Sequence, residues 1–240
     1  MSPGAEKDIE RLVQFIYKNL GFIDDIILSF DAHPYVHISH PCYWVSSDGK
    51  HPEPFTIITE EDIQNLQWKP VIEENYSVSY IKQLKAQGQF QHVIWPYHCI
   101  AGTKGFTIVD NLMEAVRQWS WAQHKSHRSV FKGTNPFTEQ YGIFSASIPN
   151  PHYEETQPNY KLLDALNAYD YVLVAGEARS HCVATSIQQI MDLKPELTQK
   201  LWILQDCMAD VPGFEEQGRL ILERAVEIGA KMLDSNSILV

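Results

Sequence analysis

The stretch Y-V-L-V-A-G-E-A-R-S-H-C-V-A-T-S-I-Q-Q-I-M-D-L (171–193) decides the fold. Residues 171–177 make a continuous apolar run that closes on Gly176 and Glu177, the pattern of a strand covered on both faces. From Cys182 onward the apolar residues recur at helical spacing, through Val183, Ile187, Ile190 and Met191. A strand therefore runs through a tight turn into a helix. The same alternation repeats in both directions. Downstream lie a strand in K-L-W-I-L-Q-D (200–206) and a helix over 215–233; upstream lie a helix over 160–169, a strand in S-V-F-K-G (129–133), a helix over 108–123 and a strand in H-V-I-W (92–95). The N-terminal part adds an amphipathic helix over 5–20 and a strand in I-D-D-I-I-L-S-F-D (23–31). This order predicts an α/β chain: three layers, α/β/α, around a mainly parallel, Rossmann-like twisted sheet, in a single domain over 1–240.

The composition narrows the function classes. With 240 residues, 44% hydrophobic and 20% charged, the chain can bury a full core. Nineteen Lys and Arg against 30 Asp and Glu leave a formal charge of −11, which repels a phosphate backbone and argues against nucleic acid as a partner. No apolar run is long enough to span a bilayer, and M-S-P-G-A-E-K-D-I-E-R-L lacks the apolar core of a signal peptide. The four cysteines are widely spaced and read as reduced thiols, so the expected location is cytoplasmic, with no membrane partner. Residues 41–91 break the pattern. Rich in Pro, aromatic and turn-forming residues, they read as a long insertion near the candidate site, with Ile81–Lys85 opening a short helix.

Chemistry-bearing residues gather where strands end, which is where open parallel sheets bind ligands. Asp31, His33, His98, Lys132, Glu177 and Cys182 all fall at or just past an expected strand terminus. S-F-D-A-H-P-Y-V-H-I-S-H (29–40) sets Asp31 and His33 two residues apart, followed by His37 and His40. A carboxylate with imidazoles suits a divalent cation such as zinc, manganese or iron(II), and His98 of W-P-Y-H-C supplies a third ligand. The plainer alternative is a His-rich loop that caps turns. Cys182 meets the unpaired amides of a helix start, which favour thiolate and suit an oxyanion in acyl transfer; the plainer alternative is a structural cysteine. Lys132 of V-F-K-G-T-N, set beside a cysteine in a cleft, would stabilise thiolate, although lysines are usually solvated.

Together these segments resemble the isochorismatase-like cysteine hydrolase superfamily, which includes the nicotinamidases. The resemblance rests on D-A-H-P-Y-V-H-I-S (31–39), W-P-Y-H-C-I-A-G-T-K-G (95–105), K-G-T-N (132–135) with Tyr141 and Phe144 downstream, and G-E-A-R-S-H-C-V-A-T (176–185). It implies Cys182 as nucleophile with Lys132 as its charged partner, and an oxyanion hole from the Ala178 and Cys182 amides. It further implies a divalent metal, zinc before manganese or iron, on Asp31, His33 and His98, with His37 a lower-ranked fourth ligand. Trp95 would stack on a planar substrate, with Tyr141 and Phe144 lining the pocket. Family members commonly carry a non-proline cis peptide after the residue corresponding to Glu177, and they assemble as dimers or tetramers. The implied reaction is hydrolysis of the C–N bond of a small-molecule amide through a Cys182 thioester. The alternatives are a vinyl-ether hydrolase of the isochorismatase type, against which Cys182 counts, and an impaired metal- or ligand-binding member. The last arises because the family carries a catalytic Asp on a strand before its first helix, whereas only M-S-P-G-A-E-K precedes that helix here. The expectation is either a truncated start or a weakened site.

Overall fold

The computed structural model describes residues 4–88 and 91–237. In chain order the elements are α1 (Ala5–Lys18), β1 (Ile27–Asp31), β2 (Trp44–Val45), β3 (Ile57–Ile58), α2 (Glu60–Gln64), β4 (Lys69–Pro70), α3 (Glu74–Gln87), β5 (His92–Val93), α4 (Asp110–Gln123), β6 (Arg128–Lys132), α5 (Tyr160–Asn167), β7 (Val172–Val174), α6 (Ala184–Leu193), α7 (Pro195–Thr198), β8 (Leu201–Leu204), α8 (Glu215–Ile228) and β9 (Lys231–Leu233). Strands and helices alternate as the apolar runs require.

The layers follow from the two-residue period of a strand. In β8, Leu201 and Ile203 face a core built with Leu163, Ile187, Leu197 and Leu222 from α5, α6, α7 and α8. Trp202 and Leu204 face the other way, onto Leu12 and Phe15 of α1. The next residue of α1, Ile16, packs with Ala115 and Trp119 of α4. One face of the sheet thus carries α1 and α4, and the opposite face carries α5, α6 and α8.

The main strands are parallel, but the described ladder is in two pieces, β1–β6 and β7–β8–β9. Side chains tie the pieces together at both ends. The Tyr169 hydroxyl before β7 donates to Asp25 before β1 at 2.9 Å, and Lys132 at the end of β6 reaches Cys182 beyond β7. The carboxyl ends of both pieces therefore open on the same place. Within the first piece Asp31 lies directly opposite Lys132, the last pair of the β1–β6 register.

Three elements differ from the sequence expectation. H-V-I-W does not join the parallel ladder: His92 and Val93 pair antiparallel with Ile58 and Ile57. K-M-L at 231–233 leaves the helix at Gly229 and becomes the edge strand β9, parallel to β8. Cys182 does not open an α-helix; it lies within a π-helical turn, Arg179–Val183, that leads into α6. Residues from the 41–91 stretch also form more structure than a short helix at 81–85. They build β2, β3, β4, α2 and a 14-residue α3. Their own core gathers Tyr43, Trp44, Ile58, Tyr80, Ile81 and Leu84 with Ile38, Ile94 and Ile148.

Candidate active site and metal centre

Lys132 is the hub. The residue is 4% exposed, and its ammonium donates to three acceptors: an Asp31 carboxylate oxygen, the Gln140 carbonyl at 3.2 Å and Cys182 Sγ at 3.5 Å. Three donors meet three acceptors, so the ammonium is fully satisfied. Burial alone lowers the basicity of Lys132, but the charges of Asp31 and Cys182 outweigh it and hold the ammonium above its ordinary range. Burial likewise pushes the Cys182 thiol up; Lys132 opposes this and the Asp31 carboxylate adds to it.

Backbone shape delivers these groups. Gly133 follows Lys132 at φ +68, and a Cβ there would lie 2.5 Å from the His33 ring. The missing side chain lets the backbone turn under His33, whose Nδ1 bonds the Gly133 carbonyl at 3.1 Å. The turn carrying Cys182 is clamped from behind by α8, where a Cβ on Gly218 would come within 2.7 Å of Ser180 Cα. The Ala178 carbonyl accepts from the His181 and Val183 amides, and the Ser186 hydroxyl caps the Cys182 carbonyl at 2.7 Å. The Glu177–Ala178 peptide is cis.

Around the nucleophile, Trp95 donates through its indole nitrogen to the Tyr141 hydroxyl at 2.9 Å. The rings of Trp95 and Tyr141 each lie 5.3 Å from that of His181, and Phe214 stands 4.8 Å from it. An aromatic wall thus adjoins Cys182. Phe144 stands apart from it, 1% exposed in the main core, with its amide bonded to Gln189.

Asp31, His33 and His98 offer one ligand atom each within 4.8 Å of one another, a separation suited to a single ion. The fit is chemical as well as spatial. Backbone carbonyls accept from Nδ1 of His33 and of His98 (Pro96 O, 2.9 Å), which leaves each Nε2 as a bare lone pair. His33, His37 and Glu139 form a second such group, buried throughout. Glu139 went unnoticed in the sequence, since a lone Glu in a loop reads as solvated. Burial works against its ionisation, but the imidazoles of His37 and His33 and the Gln140 amide hold it below the usual carboxylate range. Burial takes His37 down to about 3 and His40 down to about 4, so both are neutral at neutral pH.

A separate carboxyl pair lies behind the Cys182 turn. Asp8 Oδ2 in α1 and Glu177 Oε1 are both buried without a donor, and each other's carboxyl oxygen can share a proton with them. Burial, with Asp8 and Asp210 nearby, raises Glu177 from 4.5 to about 7, against the Ala209 amide bonded to its other oxygen. A carboxyl raised on folding contributes stability that is complete below pH 4.5 and is lost as pH climbs to about 7. Melting temperature should therefore fall from pH 5 to pH 8 more steeply in the wild type than in Glu177→Gln. Parallel curves for the two proteins would remove the shared proton.

No protein-family model matches the sequence, and no curated protein matches it. Solved structures do. A nicotinamidase and pyrazinamidase of Acinetobacter baumanii superposes with a TM-score of 0.63 at 19% identity, covering 100% of this chain and 89% of that one. The yeast nicotinamidase bound to the inhibitor nicotinaldehyde gives 0.64 at 18%, over 98% and 90%. The Pyrococcus horikoshii pyrazinamidase in complex with zinc gives 0.55 at 19%, over 97% and 88%. At these identities the likeness is one of fold, and the chain has the isochorismatase-like α/β fold. Among the described residues, no helix is long and apolar enough to cross a membrane.

Proposed function

We propose that this protein is a hydrolase that cleaves the C–N bond of a small amide, in the manner of the nicotinamidases whose fold it shares. One observation carries the reading: a single buried ammonium, Lys132, is bonded at once to Asp31 and to Cys182 Sγ. An ammonium against sulfur favours thiolate, which is the nucleophilic form. Cys182 Sγ attacks the amide carbonyl while the Ala178 and Cys182 amides take up the developing negative charge. The departing amine takes its proton from the Lys132 ammonium, leaving Lys132 neutral beside a thioester. Water then opens the thioester: its hydroxyl goes to the acyl carbon, its proton returns to Lys132, the acid leaves, and the thiolate–ammonium pair is restored. Trp95 and Tyr141 form the wall against which a planar substrate stacks. Asp31, His33 and His98 would hold a divalent ion, zinc by analogy with the Pyrococcus protein. Such an ion supplies a positive charge and bound water to orient the substrate.

A second reading, binding without turnover, is favoured by one feature. The carboxylate that serves Lys132 is Asp31, which also stands in the metal group, and the acid of α1, Asp8, faces Glu177 instead. The two readings separate on ammonia release from a panel of small amides, nicotinamide among them, by zinc-loaded protein. The hydrolase reading expects release from at least one. Silence across the panel with metal bound would favour binding alone.

A further inference from the structure

Trp95 is half-buried, with its indole N–H committed to Tyr141. Four rings surround it, with centroids at 5.3 Å for His181, 5.9 Å for Phe55, 6.2 Å for Phe214 and 6.5 Å for Tyr141. Their planes are inclined to the indole by 84°, 85°, 48° and 90° respectively. None is parallel to it, so among the described residues these rings frame the indole and none stacks on it. A flat ring stacked on Trp95 would meet Phe55 at nearly the same 85°, the favourable edge-to-face arrangement.

Of the four, Phe55 is the one that folding does not account for. It is 62% exposed, so burial contributes little. It lies in the turn E-P-F-T (53–56) that leads into β3, where the Thr56 amide bonds the Glu53 carbonyl at 3.1 Å. Pro54 stands second in this turn and Phe55 third, at φ +71. That is the pattern of a type II turn, whose third residue needs positive φ and is ordinarily glycine or asparagine. A phenylalanine there strains the backbone. The turn is nonetheless pinned beside Trp95: the Phe55 amide bonds the Ile94 carbonyl, and the Ile94 amide bonds the Thr56 carbonyl at 2.8 Å. The next amide, that of Trp95, bonds the Ser39 carbonyl at 2.7 Å. The ring of Phe55 is therefore held against the indole by the backbone, at a position where it costs stability.

We propose that Phe55 is a substrate-contacting residue that sets specificity, flanking Trp95 so that amides carrying a flat ring are bound in preference to open-chain ones. The inference rests on the amide-hydrolase reading made above. It makes the 41–91 stretch a contributor to the pocket, through a residue that belongs to none of the motifs around Asp31, His98, Lys132 or Cys182.

Phe55→Gly removes the ring and gives the turn the residue it ordinarily takes. With zinc-loaded protein and the panel of small amides, this variant should raise KM about three- to tenfold for amides with a flat ring, nicotinamide among them. The corresponding kcat, and KM for open-chain amides, should stay within about twofold of the wild type. The urea midpoint should be no lower than that of the wild type, because relief of the turn offsets the lost ring contact. Phe55→Tyr keeps a ring and should keep the wild-type KM. An equal rise for both classes of amide, or an unchanged KM for nicotinamide, would overturn the assignment while leaving the amide reading standing. If the wild type hydrolyses nothing in the panel, the amide reading falls and calorimetric titration with nicotinamide decides the assignment by itself. Binding weakened in Phe55→Gly and kept in Phe55→Tyr would uphold the contact; no difference among the three proteins, including no binding by any, would overturn it.

Discussion

Cys182→Ala is expected to reduce amide hydrolysis to background, a loss of about 10⁴-fold or more, while leaving the unfolding transition and the metal content unchanged. The size follows from the absence of any substitute. Among the described residues, Sγ is the one atom bonded to Lys132 that can become a strong nucleophile, because the other two acceptors are a carboxylate and a backbone carbonyl. The fold should tolerate the change, since Cys182 is only half-buried and the turn is held by backbone bonds and by Ser186. Steady-state ammonia release and zinc content on the same preparation decide the matter. Retained turnover would remove Cys182 from the chemistry. Lost turnover together with lost zinc would mean that the substitution had disturbed the whole site.

Lys132→Met is expected to cost about 3–5 kcal/mol of folding stability, among the largest effects of any single substitution in this chain. The methionine matches the stem of the lysine in volume, so little of the loss comes from packing. What remains in the metal-free protein is the Asp31 carboxylate, its side chain 21% exposed, with no counter-charge, and a Gln140 carbonyl deprived of its donor. Adding Asp31→Asn removes the orphaned charge and should recover part of the loss. Urea unfolding of both variants measures this as a shift of midpoint at constant slope. A single variant within 1 kcal/mol of the wild type would mean that Asp31 is protonated or solvated and that the pair contributes little, using about 1 kcal/mol as the value of an ordinary surface pair.

The strands at 171–177, 200–206 and 129–133 were legible because continuous β-branched runs have few other stable uses, and the strand-to-turn passage at 176–182 marked where the chemistry would lie. H-V-I-W shows the limit. Four apolar residues satisfy a parallel strand and an antiparallel one equally, and the choice was made by Ile57 and Ile58, supplied by a segment that reads as loop. K-M-L fails similarly, because its apolar spacing continues that of α8 until Gly229 ends the helix and the open edge of β8 captures Lys231–Leu233.

Asp31, His33, His98, Lys132 and Cys182 could be named from type and position, since carboxylate, imidazole, ammonium and thiol at strand ends carry their chemistry in the residue itself. Their proximity was decided by tertiary structure. Lys132 meets Cys182 across 50 residues and Asp31 across 101, through a parallel register and a clamped turn that no local pattern encodes. The same holds for Glu139, which becomes a buried anion only when its loop folds over the histidines. It holds as well for His37 and His40, two residues of identical chemistry three positions apart. One faces a backbone amide and the other a backbone carbonyl, and that contact alone decides which nitrogen carries the proton.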